Sequence, residues 1–139
     1  MSERDEWNRK IIEEFRANDG VVGGPFDGVP ILLLHHTGAR TATERVNPLA
    51  YQPLGDDFAV FASKGGSPTN PDWYHNVRAH PKVKVEVGRD RFDAVAREAE
   101  GDERERIWSV QKERVAAFAG YEEQTKGERE IPVIILERV

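Results

Sequence analysis

The chain has no cysteine. Disulfides, cysteine-ligated zinc, iron–sulfur clusters and thiol nucleophiles are therefore excluded. It also lacks any apolar run near the ~20 residues that span a bilayer. The opening stretch, MSERDEWNRK, has no apolar core of the kind a signal peptide carries. These absences lead us to expect a soluble, cytoplasmic protein. Basic excess is missing too: 20 Lys and Arg face 25 Asp and Glu, a net charge of −5. A broad electrostatic grip on nucleic acid does not fit that balance. The catalytic signatures of several enzyme classes are missing as well. No Gly-x-Ser-x-Gly, no P-loop spacing, no Gly-x-Gly-x-x-Gly and no His-Glu-x-x-His occurs. The four histidines (His35, His36, His75, His80) fall at spacings that suit no metal site, so none is expected.

What is present is one domain's worth of chain, 139 residues. Residues 5–18 have a helical stripe of Trp7, Ile11, Ile12 and Phe15. Ser2 or Asp5 is the candidate cap, and Gly20 the stop. A breaker-rich linker, residues 20–25, follows. Ile31–Leu34 reads as a buried strand. Residues 37–43 form a polar turn, and Arg45–Gln52 returns as a second strand, with Pro48 marking an edge or bulge. Gly55–Asp57 turns into a third strand, Phe58–Ser63. After the loop 64–68, Asn70 reads as an N-cap and Pro71 as the first residue of a short helix, 71–79. Lys82–Val87 and Arg91–Glu98 alternate as strands. Residues 102–119 read as one long helix with Ile107, Val110 (or Gln111), Val115 and Phe118 inward. Ile131–Val139 is the last strand. Trp7 and Trp108 are expected in a core or an interface. This order predicts an α+β domain on a small six-stranded antiparallel barrel.

Charge is uneven along the chain. Residues 31–81 carry four basic and four acidic groups and all four histidines, whereas residues 1–30 carry four basic and seven acidic. The middle segment is therefore the candidate for recognising an anion. Within it, Ala62-Ser63-Lys64-Gly65-Gly66 follows a strand. The glycines allow backbone N–H groups close to an anion, Lys64 adds charge and Ser63 a hydroxyl. From the residues alone, an ordinary turn with a solvated lysine is the commoner reading. Arg40 and Arg45 could reach one ligand or be plain surface residues. Trp73 and Asn76, three apart on the short helix, could wall a planar heterocycle, or Trp73 could be core. Tyr121 and Phe118 could form an aromatic lid or a helix-end staple.

Taken together, four runs resemble the deazaflavin-dependent nitroreductase family across roughly residues 5–137. They are Thr37-Gly-Ala-Arg with Arg45-Val-Asn-Pro-Leu, Ala62-Ser-Lys-Gly-Gly, Pro71-Asp-Trp-Tyr-His-Asn-Val-Arg-Ala-His-Pro81, and Ile131-Pro-Val-Ile. The resemblance implies a split β-barrel related to FMN-binding oxidoreductases. It implies the reduced deazaflavin coenzyme F-420, of the kind found in actinobacteria and methanogens, with FMN as the lesser alternative. Carried over by position, Ala62, Ser63, Lys64, Gly65, Gly66 and Arg45 would hold the coenzyme phosphate. Arg40 and Thr41 would lie near the phosphate or the acidic tail. Val46, Asn47 and Pro48 would run along the ring, and Trp73 and Asn76 would flank it. Phe118 and Tyr121 would face the substrate, with Tyr121 donating a hydrogen bond or proton. The implied activity is hydride transfer to a quinone, nitro-aromatic or other activated acceptor; the alternatives are a non-catalytic deazaflavin carrier and an FMN oxidoreductase. The implied setting is cytoplasmic, with at most peripheral membrane contact, no nucleic-acid partner, and a homodimer compatible with exposed strand edges.

Overall fold

The structure, a computed structural model, describes residues 3–24, 28–66 and 69–139. Its elements in chain order are α1 (Glu3–Ala17), β1 (Ile31–Thr37), β2 (Glu44–Leu54), β3 (Asp57–Phe61), a 3-10 turn at Lys64–Gly66, α2 (Asp72–Ala79), β4 (Lys82–Val87), β5 (Asp90–Glu98), α3 (Gly101–Arg114), α4 (Ala117–Thr125) and β6 (Val133–Arg138). The six strands close into an antiparallel barrel in the order β1-β2-β3-β6-β5-β4. Closure leaves no sheet edge along this ring. The α+β barrel expected from the sequence is the observed fold.

Strand alternation sorts the apolar residues into three groups. Leu32 and Leu34 of β1, Val60 of β3, Val83 and Val85 of β4, Ala94 and Ala96 of β5, and Ile134 and Leu136 of β6 face the lumen. Trp73, Tyr74 and Val77 of α2 join that group, so α2 plugs the barrel. On the outside, α3 and α4 cover Ala59, Phe61, Val133 and Ile135. Helix α1 lays Ile11 and Phe15 on Ile31 and Leu33. Strands β1 and β6 are thus covered on both faces, which explains their unbroken apolar runs, Ile31–Leu34 and Val133–Leu136.

Four details differ from the sequence reading. Residues 102–119 are not one helix: Val115 leaves helical backbone (φ −134°, ψ 99°), and α4 starts afresh at Ala117. The break swings Phe118 onto Phe61 and Trp108, with ring centroids 5.4 and 6.1 Å apart, and Glu122 onto the Trp108 indole N–H. Of the two candidates for the inward position, Gln111 is buried and Val110 is exposed; the Gln52 amide donates to the Ile107 carbonyl at 3.0 Å and to Gln111 Oε1 at 3.3 Å. Asn70 does not cap α2. Pro71 holds the cap position without a side-chain bond, and Asn70 Oδ1 accepts from Arg129 instead. Trp108 is core, as expected, but Trp7 keeps about half its surface exposed. The candidate cap Ser2, Pro25 of the linker, and Ser67 and Pro68 lie outside the described residues, and Asp5 stands inside α1 rather than before it.

Pro48 pairs with Leu33 of β1, while the β2–β3 ladder begins only at Tyr51. The proline therefore sits where β2 has a neighbour on one side, as its missing N–H requires. Gly20 ends α1 at φ +95°, its N–H bonded to the Phe15 carbonyl at 2.8 Å. A Cβ there would lie 2.7 Å from the Gly88 Cα in the β4–β5 turn. Gly20→Ala should therefore lower stability by more than about 1 kcal/mol, combining left-handed strain with a backbone collision. A thermal midpoint equal to wild type would contradict this close approach.

Candidate functional site

A cleft of about 510 Å3 opens between α1 and the β1–β2 ladder. Its helical wall carries Asn8, Arg9, Ile12, Glu13 and Arg16, and its sheet wall His36, Arg45, Val46 and Asn47. Lys64 of the 3-10 turn and Pro71, Asp72 and Trp73 at the start of α2 close the end. The volume lies within the ~300–1,000 Å3 of small-molecule sites. A second groove of similar size shares His36 with this cleft and is lined by His35, Glu44, Lys84, Asp93 and Val95 among others, with no Trp, Tyr, Phe or Gly in its lining.

The structure brings together five residues singled out from the sequence: Arg45, Val46, Asn47, Lys64 and Trp73. Register explains the first three. His36 pairs with Arg45 and Leu34 with Asn47, so the end of β2 is fixed against β1. Arg9 and Arg16 of the helical wall are engaged by Glu6 and Glu86. Arg45 and Lys64 form no ion pair among the described residues. Lys64 reaches only the Thr69 hydroxyl, at 3.4 Å. Its backbone lies at φ +47°, a conformation that non-glycine residues rarely hold and that concentrates at functional sites.

The turn bearing Lys64 is clamped from behind. Arg129 donates to the carbonyls of Ala62 at 3.0 Å and Ser63 at 2.9 Å, and to Asn70 Oδ1 at 2.7 Å. Gly66 stands at φ +86°, and a Cβ there would strike the Gln124 side chain of α4. Ala62 and Ser63 are buried on this inner side and do not line the cleft.

Other expected residues stand elsewhere. Arg40 and Thr41 are exposed in the β1–β2 turn, where the Thr41 hydroxyl accepts from the Thr43 N–H at 3.4 Å. Neither lines the cleft, nor does Pro48. Asn76 is buried beneath it, with Oδ1 accepting from the Ala39 N–H at 2.9 Å and Nδ2 bonded to His36 Nδ1 at 3.0 Å. Phe118 is a core residue, and Tyr121 packs on it, centroids 5.2 Å apart. Both belong to the outer core under α3 and α4 and contribute nothing to the cleft wall. The catalytic and substrate-facing positions expected of them are not where the cleft lies.

Sequence reasoning missed His36, Arg129 and the contribution of α1. His36 was weighed only as a metal ligand; the signal available was its even spacing from Leu32 and Leu34, which sets it on the lumen face. Burial pushes the His36 imidazole below its ordinary range, and the Arg45 charge pushes the same way, while its bond to Asn47 opposes them. Arg129 lies 67 and 66 residues from Ala62 and Ser63, whose carbonyls it holds, and no local pattern announces it.

A closed barrel whose cleft gathers Arg45, Lys64 and Trp73 has the charge and the apolar wall that an anionic heterocyclic cofactor needs. The comparisons narrow this. The family described as F420H(2)-dependent quinone reductase matches residues 7–138. An F420H(2)-dependent quinone reductase of Mycobacterium tuberculosis is 38% identical over 128 residues, covering 89% of this chain and 85% of that protein. Among solved structures, an F420-H2 dependent reductase (FDR-A) is 42% identical with a TM-score of 0.71, covering 78% of this chain and 94% of that one. A second, described as a domain-swapped dimer, is 38% identical with a TM-score of 0.72, covering 96% and 99%. The heme storage protein HutZ from Vibrio cholerae, at 15% identity and TM-score 0.59, shares the fold alone. The chain belongs to the F420H(2)-dependent quinone reductase family, an oxidoreductase family, as the sequence resemblance implied.

Arg129→Leu should destabilise the chain by about 2–4 kcal/mol, because two buried carbonyls and an amide oxygen lose their donors. Arg129→Lys should recover little of this, since one ammonium cannot reproduce the planar fork. Denaturant midpoints for both variants check the clamp; a lysine variant as stable as wild type would refute it.

Proposed function

We propose that the chain is a coenzyme F-420-dependent quinone reductase whose coenzyme lies in the cleft between α1 and the β1–β2 ladder. The observation that carries this is a cleft holding two cations, Arg45 and Lys64, that have no ion pair among the described residues, with Trp73 at its closed end. The residues present fit the group. Arg45 and Lys64 supply charge for an anionic phosphate. Trp73, Ile12 and Val46 supply apolar wall for a flat ring system. Asn47 supplies an amide for the ring's polar edge.

When bound, the reduced deazaflavin supplies a hydride, which with one proton converts a quinone to a hydroquinone. The protein's part is to hold ring and acceptor in line, to exclude water, and to neutralise charge at the phosphate end. A nitro compound is the next acceptor class by the same logic. Tyr121 lies apart from the cleft, so the proposal assigns it no proton transfer. None of the helices among the described residues is long and apolar enough to cross a membrane. The proposed setting is cytoplasmic, with peripheral contact where a lipid quinone is the acceptor. A homodimer is proposed on the strength of the domain-swapped dimeric neighbour. Light scattering should give twice the 15.7 kDa chain mass; a monomer at working concentration would remove that part.

Titration followed by tryptophan fluorescence should show tighter binding of coenzyme F-420 than of FMN. The reduced coenzyme should be consumed on addition of menadione. Lys64→Glu should weaken coenzyme binding by roughly tenfold to a hundredfold, as expected for losing a charge-assisted contact and adding repulsion. Unchanged affinity in that variant would displace the phosphate from this turn. Tight binding without turnover of any quinone or nitro acceptor would leave a carrier, and tighter binding of FMN would replace the coenzyme.

A further inference from the structure

Beneath the cleft runs a chain of four polar groups, from the exposed residue Ala39 through buried Asn76 and His36 to half-buried Asn47. Ala39 N–H donates to Asn76 Oδ1 at 2.9 Å. Asn76 Nδ2 meets His36 Nδ1 at 3.0 Å, and His36 Nε2 meets Asn47 Oδ1 at 2.7 Å. Asn76 and His36 are 7% and 2% exposed, so water cannot substitute for a missing partner.

One member of this chain has no choice of polarity. A backbone N–H only donates, so the oxygen of Asn76 must face Ala39. The Asn76 NH2 then points at His36, and an NH2 group only donates. His36 Nδ1 must therefore be the bare, accepting nitrogen, and the neutral ring carries its proton on Nε2. That N–H requires the Asn47 oxygen opposite it. The Asn47 NH2 is what remains for the cleft, which Asn47 lines.

We propose that His36, held as its Nε2–H tautomer by Asn76, is a positioning residue that turns the Asn47 amide so that its NH2 donates to an acceptor atom on the edge of the bound heterocycle. This rests on the function proposed above. It makes the cleft selective for a ring edge that offers a carbonyl oxygen or an unprotonated ring nitrogen. It also gives the Thr37-Gly38-Ala39-Arg40 turn a role through its backbone rather than its side chains.

Protonating His36 breaks the chain. Nδ1–H would face the Asn76 NH2, two donors head to head. Turning Asn76 over relieves that contact but sets its NH2 against the Ala39 N–H. The charged groups around the ring are Arg45 on β2 and neighbouring His35, which oppose protonation, and Asp72 of α2, which favours it. Across the cleft stand Arg9, Glu13 and Arg16 of α1, and Lys64.

Two measurements test the proposal. Long-range 15N–1H spectra of the coenzyme-free protein should show His36 protonated on Nε2 and bare on Nδ1 at pH 7. Asn76→Asp, whose carboxylate only accepts, should move a proton onto Nδ1. A proton on Nδ1 in wild type, or no change in the Asp variant, would overturn the relay. The second measurement is coenzyme affinity across pH. His36→Leu should weaken binding about tenfold, the effect of one misdirected hydrogen bond. His36→Gln should restore binding to within about threefold of wild type, because its amide offers an acceptor and a donor in the same order. Wild-type affinity should fall only as the pH drops below the ordinary histidine range, and the Gln variant should lose that component. A Gln variant as weak as Leu, or one with the wild-type pH profile, refutes the positioning role. If wild type binds no deazaflavin, the function above fails and the ligand-facing half of this inference with it, while the spectra still decide the tautomer. Should His36→Leu not fold, the Asn76→Asp spectra and the Gln titration decide.

Discussion

The β1–β2 ladder is the constraint on which the rest depends. Seven residue pairs, from Ile31 with Ala50 to Thr37 with Glu44, set one register. In that register Leu32, Leu34 and His36 face the lumen, while Ile31, Leu33 and His35 face outward beneath α1. A slip by one residue would exchange the two sets. His36 would leave Asn47 and Asn76, and His35 would leave the carboxylates of Glu44 and Glu86 that it meets at 3.0 and 2.5 Å. Barrel closure, the seat of α1 and the polar chain beneath the cleft all follow from the same pairing.

Electrostatics adds a second layer to the same wall. Arg16 of α1 bonds to Glu86 of β4 at 2.9 Å, and Glu86 also meets His35. Burial pushes the Glu86 carboxyl up, but its bonds to Arg16 and His35 together hold it below the usual carboxylate range, and the bond to His35 lowers Glu44 likewise. The C-terminal end of α1 is thus tied to the sheet through ions, and its middle through Ile11 and Phe15. The polar face of the helix is left to the cleft. In such an arrangement no side chain need be reactive, which matches a chemistry carried by a cofactor.

Much of this was legible in the chain. Alternation gave β4 and β5 nearly to the residue, and the glycine-containing turn after β3 stood out because backbone that must approach a ligand favours glycine. Five cleft residues came from local motifs because each motif is short and lies beside a strand end. The rest was illegible for physical reasons. The α3–α4 break depends on Phe118 and Glu122 finding Trp108, a tertiary preference that helical periodicity cannot express. Of the two inward candidates the sequence offers, the apolar Val110 looks the better until Gln52, 59 positions from Gln111, supplies the amide its partner. Arg129 and the polar wall of α1 act across the fold, where spacing in the chain says nothing. Tyr121 and Phe118 were placed by resemblance; Phe118 packs on Phe61 and Trp108 in a core, and half-buried Tyr121 packs on Phe118.

Strand β6 fills the gap between β3 and β5, pairing Leu136 with both Phe58 and Ala96. Its ladder to β3 joins segments about 75 positions apart, so on the ribosome the ring stays open until nearly all of these residues have emerged. Until then β3 and β5 each present a bare row of amides and carbonyls, flanked by apolar side chains that later become core. A nascent chain paused before residue 133 is consequently the sticky form of this protein, and its safe passage depends on how quickly translation delivers those six residues.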